Sequence, residues 1–444
     1  MPDRRTMRIG AGAGFAGDRL EPAIDLVARG GLDALVFECL AERTIALAHR
    51  RRRADPGAGF DPLLGRRLRP VLPGIAAQGI RVLTNMGAAD PAGAGRHVAD
   101  LCRDLGLPMR IAVVTGDDVL DRIDPSAPAL EDGRPLSDHG PLIAANAYLG
   151  ADAMLSALQA GAQIVITGRV ADPSLFVAPL AWRFGWALDD VGRMATATLA
   201  GHLMECAGQV TGGYFADADG SDVPGLADLG FPIAEIGVDG AIAITKLPGT
   251  GGRVSRATVT EQLLYEITDP GAYITPDVVL DVTGVAVTDH GADRVTVAGA
   301  RGAPRPDTLK VSVAYEAGWE AEAGISYGGS GAVERGRRAA DIIRTRLARR
   351  GDVSDLRLDL VGVDSLLPGR LRGGAPAEVR LRLCARTTTA EAAADAAREI
   401  ESLYTNGPAG GGGVRSALRP VVGIVSTLID RRAVNPSFDM LEVA

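Results

Sequence analysis

The first two hundred residues alternate short apolar runs with stretches of helical periodicity, and that rhythm limits the fold more than any other feature of the chain. Runs at 7–9, 34–37, 80–84, 110–114 and 163–167 read as strands. Helical stretches near 20–28, 39–49, 94–105 and 146–160 separate them, with a short helix within 70–78. Continuous apolar runs of strand length between helices are what a parallel sheet buried on both faces requires. The pattern predicts an α/β fold on a doubly wound, mostly parallel sheet, with a barrel as the alternative. After about residue 208 the rhythm changes to strands joined by turns, at 241–244, 278–287, 294–297 and 309–315. Alternation within 357–360 and 379–383 implies strands with one wet face, and a helix at 390–403 precedes a strand at 421–428. The expected division is an α/β domain over 1–207 that carries a crevice and an α+β domain over 208–444 that completes the site. The glycine-rich stretch 407–414 predicts a mobile loop.

Composition excludes several classes of function. Net charge is −8 and no basic stripe is interleaved with aromatics, so nucleic acid is not an expected partner. The run His49-Arg50-Arg51-Arg52-Arg53 closes a predicted helix, where cations are favourable, and reads as a solvated helix end. Cys39, Cys102, Cys206 and Cys384 lie far apart without a CxxC pair, which argues against a disulfide framework or structural zinc and fits a reducing compartment. No apolar signal region opens the chain and no segment is suited to span a bilayer. The expectation is a cytoplasmic homo-oligomer with no membrane partner.

In an open parallel sheet, ligands bind beyond the carboxyl ends of the strands, where helix N-termini also point. The predicted strands end there in polar signatures: Glu38 to Arg43 after the second, Thr84-Asn85-Met86-Gly87 after the third, Thr115-Gly116-Asp117-Asp118 after the fourth, and Thr167-Gly168-Arg169 to Asp172-Pro173 after the fifth. Asp90-Pro91 and Asp172-Pro173 are ordinary N-cap pairs. Capping does not explain Glu38, Asn85 or Arg169, and a carboxylate, an amide and a guanidinium converging on one crevice make a site. Gly10, Gly12 and Gly14 form a loop ahead of a helix that could cradle a phosphate, although the spacing departs from a dinucleotide fingerprint. Gly249, Gly251 and Gly252, after Lys246, offer a second anion nest. His202, Glu205, Cys206 and Gln209 share one helical face and suit acid–base chemistry, whereas the spacing does not suit zinc. Gln262, Tyr265 and Glu266 read as part of an ordinary amphipathic helix, which could also face the crevice from the second domain.

Taken in order, FECLAERT (37–44), TNMGAADP (84–91), VVTGDDVL (113–120), ANAYLGA (145–151), IVITGRVADPSL (164–175), GHLMECAGQVTGGYF (201–215), KLPGTGGRV (246–254) and EQLLYEITDPGAYITPDV (261–278) resemble the N-terminal domain of the acyclic terpene utilisation (AtuA) family. The match runs over about 7–350. Longer members carry a further small C-terminal domain, which the resemblance implies is lacking here. The family takes its name from operons that degrade citronellol and geraniol as acyl-CoA thioesters. The resemblance implies a context of carboxylic-acid or CoA-thioester catabolism, and adds weight to Glu38, Glu42, Arg43, Asn85, Asp117, Arg169, Asp172, His202 and Glu205.

The resulting expectation is a lyase or hydratase-type enzyme acting on a branched hydroxyacyl or enoyl acid, free or as its CoA thioester. Such chemistry needs a base, an acid and a donor at the developing oxyanion. Glu38 or His202 would serve as acid or base, Glu205 beside them, Arg169 as the anion partner and Asn85 as a donor. Glu42, Arg43, Asp117, Asp172 and Lys246 would hold substrate. Mg²⁺ would suit oxygen ligands from Glu38, Asp117 or Asp172. The alternatives are a nicotinamide- or nucleotide-dependent oxidoreductase using the first glycine loop, and a non-catalytic ligand-binding or scaffolding protein.

Overall fold

A computed structural model describes residues 5–215, 223–367 and 376–444. In chain order the elements begin β1 (Thr6–Ala13), α1 (Glu21–Arg29), β2 (Ala34–Phe37), α2 (Glu42–Ala54), α3 (Leu64–Leu68), α4 (Leu72–Gln78), β3 (Arg81–Thr84), α5 (Pro91–Asp104) and β4 (Met109–Thr115). Next come β5 (Leu142–Ala147), α6 (Asp152–Gln159), β6 (Ile164–Ile166), α7 (Ser174–Phe184) and α8 (Val191–Met204). Then follow β7 (Pro232–Gly237), β8 (Ile242–Lys246), α9 (Arg256–Leu264), β9 (Tyr273–Ile274), β10 (Val279–Asp281), β11 (Ala286–Asp289), β12 (Arg294–Ala298) and β13 (Arg301–Ala303). The chain finishes with β14 (Thr308–Gly328), α10 (Ala332–Arg350), β15 (Val353–Val361), β16 (Glu378–Thr387), α11 (Ala390–Asn406), β17 (Gly411–Asp430) and β18 (Ser437–Val443).

Contacts divide the chain into two compact units: Met1–Leu136, Ile143–Ala314 and Ile424–Ala444 in the first, Ser137–Leu142 and Tyr315–Gly423 in the second. The first is built on an open ten-stranded sheet in the order β11-β12-β8-β7-β1-β2-β3-β6-β4-β18. At its centre β1, β2, β3, β6 and β4 pair in parallel. These are the apolar runs of the first half, and every residue of β2 and β6 is buried. The fold is therefore mixed α/β, with parallel strands from the N-terminal part and antiparallel strands on both flanks: β7 pairs with β1, and β18 with β4. After reaching β4 the chain turns back and inserts β6 between β3 and β4, which sets the loop after β6 beside the loops after β2 and β3.

Several local expectations change. Gly10 and Gly12 lie inside β1 rather than in a loop, because a Cβ at Gly10 would meet Leu32 at 2.7 Å and one at Gly12 would meet Phe37 at 2.6 Å. The predicted helix over 146–160 begins only at Asp152; the residues before it form β5, which pairs with β14. The predicted strand over 278–287 is two strands, β10 and β11. The basic run does close α2, yet it is not simply solvated. Arg51 donates to the carbonyls of Ala58 and Phe60, Arg52 to Ala89 and Arg53 to Ile143, while His49 is buried. Among the described residues no helix is long and apolar enough to cross a membrane, and all four cysteines are free.

In the second unit β16 pairs antiparallel with both β15 and β14. Val379, Leu381, Leu383 and Ala385 join a core with Ile343 of α10 and Ile400 of α11, as the alternation requires. On the opposite face Arg382 meets Asp359 at 2.9 Å. The glycine-rich stretch expected to be a loop enters a strand, since Gly411 begins β17.

Candidate functional site

The carboxyl ends of β2, β3, β6 and β4 release the chain at Glu38, Asn85, Thr167 and Gly116, and hydrogen bonds tie these ends together. Asn85 is fully buried and spends both halves of its amide on the neighbouring loop. Its Oδ1 accepts from the Cys39 amide at 2.8 Å, and its Nδ2 donates to Glu38 Oε1 at 2.9 Å. The Leu40 amide donates to the same Oε1 at 2.8 Å. Glu38 is thus held in one orientation, and burial, helped by the charge of Asp172, pushes its carboxyl up to about 8. Asp117 accepts from the Arg169 amide at 2.8 Å and from Asn146 Nδ2 at 2.9 Å, so it anchors the turn after β6. Burial raises its carboxyl to about 6. Gly168 is required in that turn, because a Cβ there would lie 2.5 Å from Asp117 Oδ1.

Arg169 is only 2% exposed. Its Nη1 donates to the Leu40 carbonyl and lies 3.2 Å from Asp172 Oδ1, and its guanidinium stacks 4.0 Å from the centroid of the Tyr148 ring. Burial works against the charge, but Asp172, Tyr148, Glu42 and Glu38 outweigh it and keep Arg169 firmly protonated. Asp172 was expected to cap the next helix. Instead the N-cap of α7 is Pro173 with no side-chain cap bond, and the Asp172 carboxylate faces Arg169. Burial raises the Asp172 carboxyl as well, against the pull of Arg169.

Glu42, at the first turn of α2, accepts from the Tyr148 hydroxyl and from Lys310 Nζ at 3.2 Å. Burial opposes its ionisation, yet Arg169, Tyr148 and Lys310 together hold it down at about 2. Glu42 is therefore a fixed anion, and Lys310 sits 4.9 Å from the Tyr148 ring centroid. These groups line a cavity of about 290 Å³, which Glu42, Tyr148, Arg169, Asp172, Glu266, Tyr273 and Lys310 share with Thr275, Thr308 and apolar and proline residues.

His202 is buried behind this wall, its ring 5.2 Å from that of Tyr273. Its Nε2 lies 3.1 Å from the Leu263 carbonyl, so that nitrogen carries a proton; its Nδ1 lies 3.0 Å from Glu205 Oε1. Burial alone would lower the imidazole, but the bond to Glu205 raises it, while burial lifts the Glu205 carboxyl to about 7. The two form a pair that shares a proton. The helical face expected to carry four side chains is shorter than that, since α8 ends at Met204 and a 3-10 turn over Ala207–Gln209 follows.

Other expected site residues stand apart from the cavity. Lys246 donates to the Thr250 carbonyl at 2.8 Å and pairs with Asp293 at 3.1 Å. The amides of Gly251 and Gly252 donate to the Asp228 and Pro224 carbonyls and so are not free for an anion, and Gly249 lies in the turn that the Thr250 amide closes onto the Leu247 carbonyl. The Gly14 amide donates to Asp18 at 2.9 Å, so with Gly10 and Gly12 in a strand the first glycine series is not a phosphate cradle either. Arg43 is exposed on α2. Among the described residues no group of three or more His, Cys, Asp and Glu side chains is arranged to hold a metal ion.

Tyr148, Lys310 and Tyr273 escaped the sequence reading, and Glu266 was assigned to a helix. Tyr148 lies inside ANAYLGA, and Lys310 is one of only two lysines in the chain, which was a usable signal. Tyr265 and Glu266 are not helical, because α9 stops at Leu264.

A family model described as Acyclic terpene utilisation family protein AtuA matches residues 7–440, well past the extent of about 7–350 over which the resemblance was read. No curated protein and no solved structure matches the chain.

Proposed function

The chain belongs to the acyclic terpene utilisation family, and from that premise we propose that its cavity performs lyase- or hydratase-type acid–base chemistry on a branched hydroxyacyl or enoyl carboxylic acid, free or as its CoA thioester. The observation that carries this reading is the pair of neighbouring carboxyls, Asp172 on the cavity wall and Glu38 buried behind it, both raised by burial in the loops after β6 and β2, the two parallel strands that flank β3, beside a buried guanidinium. Carboxyls lifted toward neutrality are what proton transfer at physiological pH needs.

In this reading Glu38 and Asp172 titrate as a unit and supply the proton to a leaving hydroxyl. Lys310 and Arg169 offer positive charge to the substrate's carboxylate or thioester oxygen and to the oxyanion that develops from it. Asn85 does not meet substrate; it fixes Glu38. Glu42 keeps Lys310 and Tyr148 in place. The His202–Glu205 pair buffers a proton behind Tyr273. A cavity of about 290 Å³ suits the acyl portion of a thioester, with the CoA nucleotide outside it.

The test is turnover of 3-hydroxy-3-methylbutanoate and its CoA thioester. Glu38→Gln is expected to lower kcat by about 10²–10⁴-fold with little effect on binding, and Arg169→Ala to weaken binding. Turnover that survives Glu38→Gln would remove the reading; binding without turnover in the unmodified protein would favour a ligand-binding role instead.

A further inference from the structure

Five residues other than glycine adopt positive φ among the described residues: Ala88, Ala207, Tyr214, Glu266 and Asp293. Of these, Glu266 alone lines the cavity. Helix α9 ends at Leu264, Tyr265 turns to an extended conformation, and Glu266 then takes φ 59°. At a helix exit of this shape glycine is the usual occupant, because a Cβ in the left-handed region crowds the following carbonyl. Asp or Asn can recover part of that cost through a hydrogen bond from a short side chain to the local backbone; a glutamate is too long for that, and the Glu266 carboxylate instead bonds the side chain of Tyr265. Packing does not recover it either, since Glu266 is exposed. What the conformation secures is position. Glu266 lines the cavity together with Asp172 and Tyr273, and its charge bears on both of them and on Glu205 behind the wall. Strain of this kind at a cavity wall marks a functional constraint.

We propose that Glu266 is a further catalytic residue, the base that removes the substrate's Cα proton; this rests on the lyase or hydratase reading. In the dehydrating direction the Cα–H bond breaks and its proton passes to the Glu266 carboxylate, while the electron pair forms the C=C bond. The Cβ–O bond breaks, and the hydroxyl leaves as water with a proton from the Glu38–Asp172 pair. Hydration runs the same steps in reverse, and no oxidant or reductant is consumed.

The experiment follows hydrogen–deuterium exchange at Cα of 3-hydroxy-3-methylbutanoate and its CoA thioester in D₂O, alongside thermal unfolding, for the wild type, Glu266→Gln and Glu266→Gly. Both variants are expected to lose exchange by about 100-fold or more. Glu266→Gly should nevertheless unfold about 2 °C higher than wild type, because glycine relieves the backbone, and Glu266→Gln should unfold with the wild type. Exchange at the wild-type rate in either variant, or a lower transition for Glu266→Gly, would overturn the assignment while leaving the reaction class standing. A wild type that neither exchanges nor converts either probe would remove the reaction class, and this assignment with it.

Discussion

Burial of Glu38 links the protein's stability to pH in a definite direction. Its carboxyl rises from 4.5 to about 8 on folding, so the folded state holds a proton that the unfolded chain releases. The stability this contributes is complete below about pH 4.5 and is lost as pH rises to about 8. Gln keeps an oxygen to accept from Leu40 and Asn85 and cannot ionise. Glu38→Gln should therefore unfold with the wild type near pH 4.5 and at a higher temperature near pH 8, by a difference on the order of 4 kcal/mol. Equal transitions at both pH values in a calorimetric series would mean that Glu38 ionises freely. Glu42 behaves in the opposite sense: its carboxyl is lowered to about 2, so what it contributes is present above about pH 4.5 and fades in acid. Much at this scale was legible in the sequence. Glu38, Asn85 and Arg169 stood out because helix capping could not account for them, and hydrogen bonds do bring their loops together. The cap assigned to Asp172 was misread, because an Asp-Pro pair looks the same in sequence whether it caps a helix or faces a cation.

At the scale of elements, the join between β1 and the turn after α8 is tightly packed. A Cβ on Gly14 would lie 2.4 Å from the Cys206 carbonyl carbon and 2.8 Å from the Ala207 nitrogen, both backbone atoms that cannot rotate away. Ala207 itself holds φ 42°. Gly14→Ala should destabilise by about 1–3 kcal/mol and displace Glu205 from His202. The second effect would be visible as an altered His202 titration by NMR, and an unchanged titration would show that the turn yields without cost to the pair. The parallel strands were readable because each is a short run of β-branched and aliphatic residues buried on both faces. β5 was not, because its strand state depends on β14, some 160 residues further along the chain, and no local periodicity reports such a partner. Gly10 and Gly12 were misplaced for a related reason. The same residue type serves a phosphate loop and a strand packed hard against Leu32 and Phe37.

Across the whole molecule, the large sheet grows outward from its parallel centre. β7, β8, β12 and β11 extend it on one side, and β18 covers β4 on the other. The strands after residue 208 announced themselves in the sequence, but nothing in their pattern said that they continue the sheet begun by β1. Charge is distributed in an unusual way too. All but two of the 47 basic residues are arginine, and arginine's planar fork can hold several backbone carbonyls at once, as Arg51 and Arg335 do. The two ammonium groups are not equivalent. Lys246 is 3% exposed beneath its carbonyl and Asp293, whereas Lys310 is 44% exposed at the cavity. A sparing dose of an amine-acylating reagent should therefore mark Lys310 well ahead of Lys246, as read by peptide mass mapping, and a ligand seated against Glu42 and Tyr148 should shield it. Scarcity of lysine thus gives the protein a native covalent reporter of occupancy, usable before any substrate has been identified.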